Sequence, residues 1–157
     1  MRKEEAVGYT AYLRIDGLAG DCADPDHRNW YAIDNFGHSL CSTQQRSGTA
    51  SLSDFSFSKL ADRSTPQLAR AAAEGRYFKE AVLELRETDG EKARFMEIRF
   101  EKVRITNYSI SGSPQQDVRA PYESFALGFE RIEWIYASDP SQESRADWVN
   151  EAAATVH

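Results

Sequence analysis

The sequence contains no apolar run approaching the roughly 20 residues that a helix needs to cross a bilayer. Its opening, MRKEEAVGYTAYLRID, carries charges but no apolar h-region, so neither the general export route nor membrane anchoring is expected. Cysteine is scarce: Cys22 and Cys41 are too few for a disulfide framework, and without a leader they should stay thiols in a reducing cytosol. A single bridge between them is open only after release from the cell. Runs of Lys and Arg interleaved with aromatics are missing, and the net charge over 157 residues is -6. Such a chain gains nothing from counterion release on a polyphosphate, which argues against nucleic acid as a partner. Internal repeats and low-complexity segments are absent too.

Catalytic signatures are equally short. There is no G-x-S-x-G elbow, no cysteine in a nucleophile signature and no glycine-rich loop opening a helix. Of three histidines one is terminal, leaving His27 and His38 as the only candidate bases. Cys22, His27, His38 and Cys41 are spaced C-x4-H-x10-H-x2-C and offer four zinc-capable side chains. That spacing matches no common finger, and the intervening stretch reads as a strand that would carry the pairs to opposite ends. Asp21, Asp24 and Asp26 form an acidic turn that lacks the glycine and distal glutamate of a calcium loop. No catalytic residue, metal or cofactor is expected.

What the chain does have is a core: 41% of its residues are hydrophobic and it holds eight Phe, seven Tyr and three Trp, enough for one domain over 1–157 without staples. Tyr9, Ala11, Leu13 and Ile15 alternate with Thr10, Arg14 and Asp16, the pattern of a half-buried strand. Gly17 to Pro25 reads as a loop, Trp30 to Leu40 as a second strand, and Cys41 to Ala50 (CSTQQRSGTA) as an exposed loop. Leu52 to Leu60 is a third strand with Phe55 and Phe57 on one face. A short helix follows at about 65–75, with Ser64 or Thr65 as cap, Pro66 in its first turn, Leu68, Ala71 and Ala72 as apolar stripe and Gly75 as stop.

Strands resume at Tyr77, and Asp89-Gly90 signals a hairpin. Met96, Ile98 and Phe100 share one phase while Val103 and Ile105 take the other, which predicts a bulge near Glu101-Lys102. The same slip separates Phe125, Leu127 and Phe129 from Ile132, Trp134 and Tyr136. Two long bent strands predict a curled sheet, a small β-barrel or sandwich with one helix packed outside. Glu84, Arg86, Glu97, Arg99, Glu101, Arg131 and Glu133 form a wet face of mixed charge. The core is expected over 8–137, and the polar tail 138–157 is expected to be loosely held with Trp148 as its one aromatic anchor.

Several phrases carry a resemblance: AYLRIDG at 11–17, LSDFSFSK at 52–59, DRSTPQL at 62–68, Gly75-Arg76, AVLELR at 81–86, Val103 to Ser113 and Tyr122 to Tyr136. Together they resemble the haemolysin-coregulated protein family, Hcp, of bacterial type VI secretion. That resemblance implies a mostly β fold of two antiparallel sheets forming a small barrel with one short flanking helix. It implies a structural role, not an enzymatic one: homohexameric rings stack into a hollow tube that works with spike and sheath proteins and carries small effectors. It also implies a cytoplasmic protein exported without a signal peptide. By position, Gln44, Gln45, Arg46, Ser47 and Thr49 fall where the family's extended loop reaches the next ring, so they are the expected stacking residues. This loop lacks the family's glycine-rich character, and Asn35 and Phe36 replace a Trp-Ser-Trp. A ring-shaped effector receptor or chaperone that polymerises poorly is the alternative.

Overall fold

The computed structural model describes residues 8–42, 50–88, 94–115, 117–136 and 140–150. Period-two alternation produces most of the elements. The strands are β1 (Tyr9–Ile15), β2 (Tyr31–Ile33), β3 (Asn35–Gly37), β4 (Leu40–Ser42), β5 (Ala50–Leu52) and β6 (Phe55–Leu60). After helix α1 (Thr65–Glu74) come β7 (Tyr77–Glu87), β8 (Arg94–Ser111), β9 (Tyr122–Gly128), β10 (Arg131–Tyr136) and β11 (Ser144–Val149). Pairing is antiparallel throughout. The chain is mostly β with one helix, as expected.

The expected second strand is in fact three short ones. β2 pairs with β1, β3 pairs with β6, and β4, among the described residues, pairs only with β5. A single nine-stranded sheet runs β2-β1-β7-β8-β9-β6-β3, with β10 joined to β8 and β11 to β10. No ladder among the described residues closes it. Its two ends, β2 and β3, are instead joined by Asp34, whose N–H donates to Ser58 O at 2.9 Å. One strand therefore changes partner at a single residue, and the curled sheet comes back on itself through the chain.

The two expected sheets are two arms of this one bent sheet. In β7 the buried phase slips between Phe78 and Ala81, in β8 between Phe100 and Val103, and between β9 and β10 from Phe129 to Ile132. These three slips lie side by side. Phe78 pairs with Val103 and Glu80 with Glu101 across the first. Arg104 pairs with Gly128 and Glu101 with Arg131 across the second. Each strand gains the same offset as its neighbour, so the pairing register survives while the face exposed to the core reverses. The change of phase at Glu101-Lys102 is present, with Lys102 in the left-handed region at φ 55, but the bulge expected there is not, because the neighbouring strands slip with it and the register is kept. The ladder itself shifts register elsewhere, at Leu85/Arg86 and at Ile105/Asn107.

The core fills the inside of the bend. Leu13, Leu83, Phe57, Phe100, Phe125, Leu127 and Ile132 are fully enclosed. Phe55 lies 5.1 Å from Phe57 and 5.2 Å from Phe100, and Phe57 lies 5.4 Å from Phe125. Helix α1 adds Leu68 and Ala71 to this cluster and ends at Gly75 in the left-handed region at φ 64. A glycine there avoids the Cβ penalty that most residues pay in that conformation.

The C-terminal segment departs from expectation. Ser144–Val149 is a strand paired along the whole of β10, and Trp148 packs half-buried on the core. Backbone pairing, which side-chain polarity does not reveal, holds a segment whose other side chains are all exposed.

Candidate functional site

The DRSTP phrase is the entry to helix α1, and its chemistry is a buried ionic knot. Asp62 Oδ1 accepts from the Ser64 amide at 2.8 Å and from the Ser64 hydroxyl at 2.5 Å. The Thr65 hydroxyl accepts from the Asp62 amide at 2.9 Å and donates to Glu123 Oε2 at 2.9 Å. Neither hydroxyl caps the helix in the manner expected of Ser64 or Thr65; both are committed to carboxylates. Lys59 Nζ sits 2.7 Å from Glu123 Oε2 and 3.1 Å from Asp62 Oδ1, and Tyr108 donates to Glu123 Oε1 at 2.7 Å. Lys59 is 1% and Glu123 0% exposed.

This knot is structural by its geometry, since the Lys59 ammonium and both oxygens of Glu123 meet partners inside the protein. Burial pushes the Asp62 carboxyl up, but hydrogen bonds from Ser64 and the Lys59 ammonium outweigh it and hold Asp62 below its ordinary value. Burial first, and then the Glu123 carboxylate, push the Tyr108 phenol far up. The Lys59–Glu123 pair matches no motif, yet it leaves a signal in the sequence. Lys59 continues the buried phase of Phe55 and Phe57, Glu123 that of Phe125 and Leu127, and the two face each other across β6 and β9.

His27 is a second buried polar centre. It lies in a 3-10 turn, Pro25–His27, and is 2% exposed. Its ring stacks on Tyr12 at 3.8 Å and meets Trp30 edge-on at 4.8 Å. Nδ1 faces Asp24 Oδ2 at 2.7 Å and Nε2 faces Glu84 Oε1 at 2.5 Å, while Arg86 Nε donates to the same Glu84 oxygen at 3.0 Å. Burial raises the Glu84 carboxyl, and the His27 and Arg86 hydrogen bonds more than reverse that. His27 thus pins the acidic loop to the outer side of β1 and β7. It has no open face for a substrate.

The four zinc-capable residues do not converge. His27 is taken by Asp24 and Glu84, and His38 Nε2 lies 2.9 Å from Ser53 O with its ring stacked on Phe55. Cys22 and Cys41 are free thiols, and no group of three or more metal-capable residues forms among the described residues. Of the acidic turn, Asp24 holds His27 and Asp21 accepts from the Arg63 amide at 3.2 Å. No described helix is long and apolar enough to cross a membrane.

The expected stacking residues Gln44, Gln45, Arg46, Ser47 and Thr49 lie outside the described residues. They are flanked by β4 and β5, a hairpin that pairs with neither end of the main sheet. The wet face is present on the outer side of β1, β7, β8, β10 and β11 as a lattice of ion pairs. Arg99 bridges Glu80 and Glu97, Arg94 reaches Glu97, Arg145 joins Glu133 to Glu143, and Arg131 joins Glu101 to Asp147. Glu97, expected on the wet face, is instead buried beneath it at 4% exposure beside Val82 and Ile135, all three pointing away from the core cluster. Long arginine stems laid along the sheet account for that covering.

Comparison with known proteins places these features in a family. A family model described as the type VI secretion system effector Hcp matches residues 12–136. Protein Hcp1 of Pseudomonas aeruginosa is 31% identical over 84 residues, a match covering 53% of this chain and 51% of that protein. Among solved structures, Hcp1 from Salmonella typhimurium superposes with a TM-score of 0.79 at 24% identity, covering 92% of this chain and 96% of the other. A type VI secretion system effector from Yersinia pestis gives a TM-score of 0.75 at 24% identity, covering 88% of this chain and 98% of the other.

Proposed function

Because the chain belongs to the Hcp family of type VI secretion, whose members are secreted structural proteins and not enzymes, we propose that it is a tube subunit: six copies close into a ring, and rings stack into a hollow tube. The family match across 12–136 carries this reading. The buried centres support it as well, because the Lys59–Glu123 knot and the His27 clamp are closed in on their own partners and serve rigidity. In this reading the subunit waits in the cytoplasm, leaves through the apparatus with spike and sheath as partners, and takes small effectors into the ring lumen. In this reading Gln44, Gln45, Arg46, Ser47 and Thr49, which lie between β4 and β5 in the sequence, contact the next ring.

Negative-stain electron microscopy with light-scattering mass over a concentration series tests the reading. Sixfold rings that lengthen into stacks as concentration rises are expected, and a monomer at every concentration overturns it. Replacing Arg46 and Thr49 together by alanine should leave rings but shorten stacks; unchanged stacks would remove the loop from the contact.

A further inference from the structure

The corner of the sheet concentrates positive charge in a chain whose net charge is -6. Arg76, Tyr77, Lys79, Lys102 and Arg104 are all exposed there. Arg104 pairs across the ladder with Tyr77, and the pairs on either side bring Lys79 level with Lys102. Lys102 Nζ and the Arg104 guanidinium lie 5.6 and 5.8 Å from the centre of the Tyr77 ring, which is 56% exposed. The cluster borders a cavity of about 300 Å³ that Asp54, Thr106, Glu130 and Asn150 also line. Glu130 answers Lys102 at 3.2 Å and Asp54 accepts from Thr106, but among the described residues Lys79 and Arg104 have no acidic partner. Like charges level on neighbouring strands repel, and Lys102 adopts a strained backbone; neither is a device for the stability of a lone subunit.

A matching acidic feature stands elsewhere on the same chain. Residues 20–30 are held rigid by five backbone hydrogen bonds, among them Gly20 N to Asn29 O at 2.7 Å and Cys22 N to Trp30 O at 3.0 Å, and by buried His27. Gly20 approaches Trp30 so closely that a Cβ on it would stand 2.3 Å from the Trp30 carbonyl oxygen. The loop presents Asp21 and Asp26 outward, with Arg28 as its one cation. Its anchor Glu84 is seven residues along β7 from Tyr77, about 23 Å at strand rise, so the His27–Glu84 end of the loop, which carries Asp26, stands well away from the corner of its own copy.

We propose that the cationic corner of Tyr77, Lys79, Lys102 and Arg104 receives the acidic loop Asp21–Asp26 of a second copy, forming the head-to-tail contact between neighbours. Two different patches meeting head to tail generate a ring when the rotation closes. An exposed tyrosine flanked by an arginine, facing a preorganised acidic loop, is the composition of an interface hot spot with low ordering cost. This inference rests on the ring reading above and assigns its contact.

The test uses two charge-reversed variants of the full chain, Lys102→Glu/Arg104→Glu and Asp21→Lys/Asp26→Lys, followed by sedimentation velocity and electron microscopy. Asp26→Lys alone, at a side chain with no described partner, covers the case in which losing Asp21 disturbs the fold. Each variant should need at least about tenfold more protein for half-assembly, the effect of losing about one good charge pair per contact. An equimolar mixture of the two doubly substituted variants should assemble near the wild-type concentration, because corner and loop are complementary again when the copies alternate, and a six-membered ring admits alternation. Wild-type rings with either variant assembling normally, or with no rescue in the mixture, overturn this contact and leave the ring reading standing. A wild-type protein that never forms rings removes both.

Discussion

Replacing Lys59 by methionine removes the cation from the buried knot while nearly preserving its volume. Glu123 is 0% exposed and keeps only the Thr65 and Tyr108 hydroxyls, and Asp62 loses an ammonium at 3.1 Å. Breaking a buried pair on one side costs about 3–5 kcal/mol, because the remaining charge stays desolvated. The cation's place 5.6 Å from the Tyr31 ring is lost as well. For a protein of this size the penalty lowers Tm by roughly 6–20 °C at about 2–4 °C per kcal/mol. Urea unfolding at pH 7 and one fixed protein concentration measures it, since assembly adds stability by mass action. The diagnostic quantity is the cycle with Glu123→Gln. The double variant Lys59→Met/Glu123→Gln buries no unpaired carboxylate at this position and should cost less than the sum of the singles by about 2 kcal/mol. A Lys59→Met loss under about 1 kcal/mol, or singles that simply add, would refute the claim that this charge pair organises the helix entry.

His27→Phe preserves the stack on Tyr12 but removes both ring nitrogens that face Asp24 and Glu84; it should cost about 2–3 kcal/mol and speed hydrogen exchange at the Cys22, Asn29 and Trp30 amides. Slow exchange retained at those amides would show that the backbone alone holds the loop. Gly20→Ala should destabilise by more than Gly75→Ala, whose cost is about 1 kcal/mol, because the first forces a Cβ against Trp30 backbone and the second only a left-handed φ in open space; a reversed order in denaturant midpoints contradicts the packing. Asp62 and Glu84 are both held below their ordinary values, so the folded state binds fewer protons than the unfolded one near their titration. Their contribution is therefore complete above the unfolded range of about 4 to 4.5 and is lost as pH falls through the lower folded values. Asp62→Asn and Glu84→Gln should each flatten the fall of stability with acid, and an unchanged acid slope would contradict that assignment.

The strands, the helix and its glycine stop were legible in the sequence because each rests on local pattern. The slip at Glu101-Lys102 was legible too, since a change of phase leaves its mark in one strand. That three strands slip at one level was not, because it depends on which residues become neighbours. Trp30 to Leu40 reads as one extended run since pairing partners are not written in side-chain alternation; only Asp34 marks where the backbone passes from β1 to β6. Likewise the residues of β11 are too polar to announce a strand, and its support comes from β10 through the backbone.

The same distinction between local pattern and pairing governs the polar residues. Spacing drew attention to Cys22, His27, His38 and Cys41, but proximity in sequence says nothing about which way strand residues face, and the fold sends the two histidines to different partners. Lys59 and Glu123 sit 64 positions apart and resemble no motif, yet each interrupts an apolar phase with a charge of opposite sign. A charge in a buried phase is costly unless it is paired, so two such interruptions on strands of one core predict each other before any coordinates are known. Ser64 and Thr65 then cease to be capping residues and, with Asp62, become the remaining donors and acceptors that a buried lysine and glutamate require. The DRSTPQL phrase at 62–68 is thus the signature of an ionic knot that fixes helix α1 to the sheet.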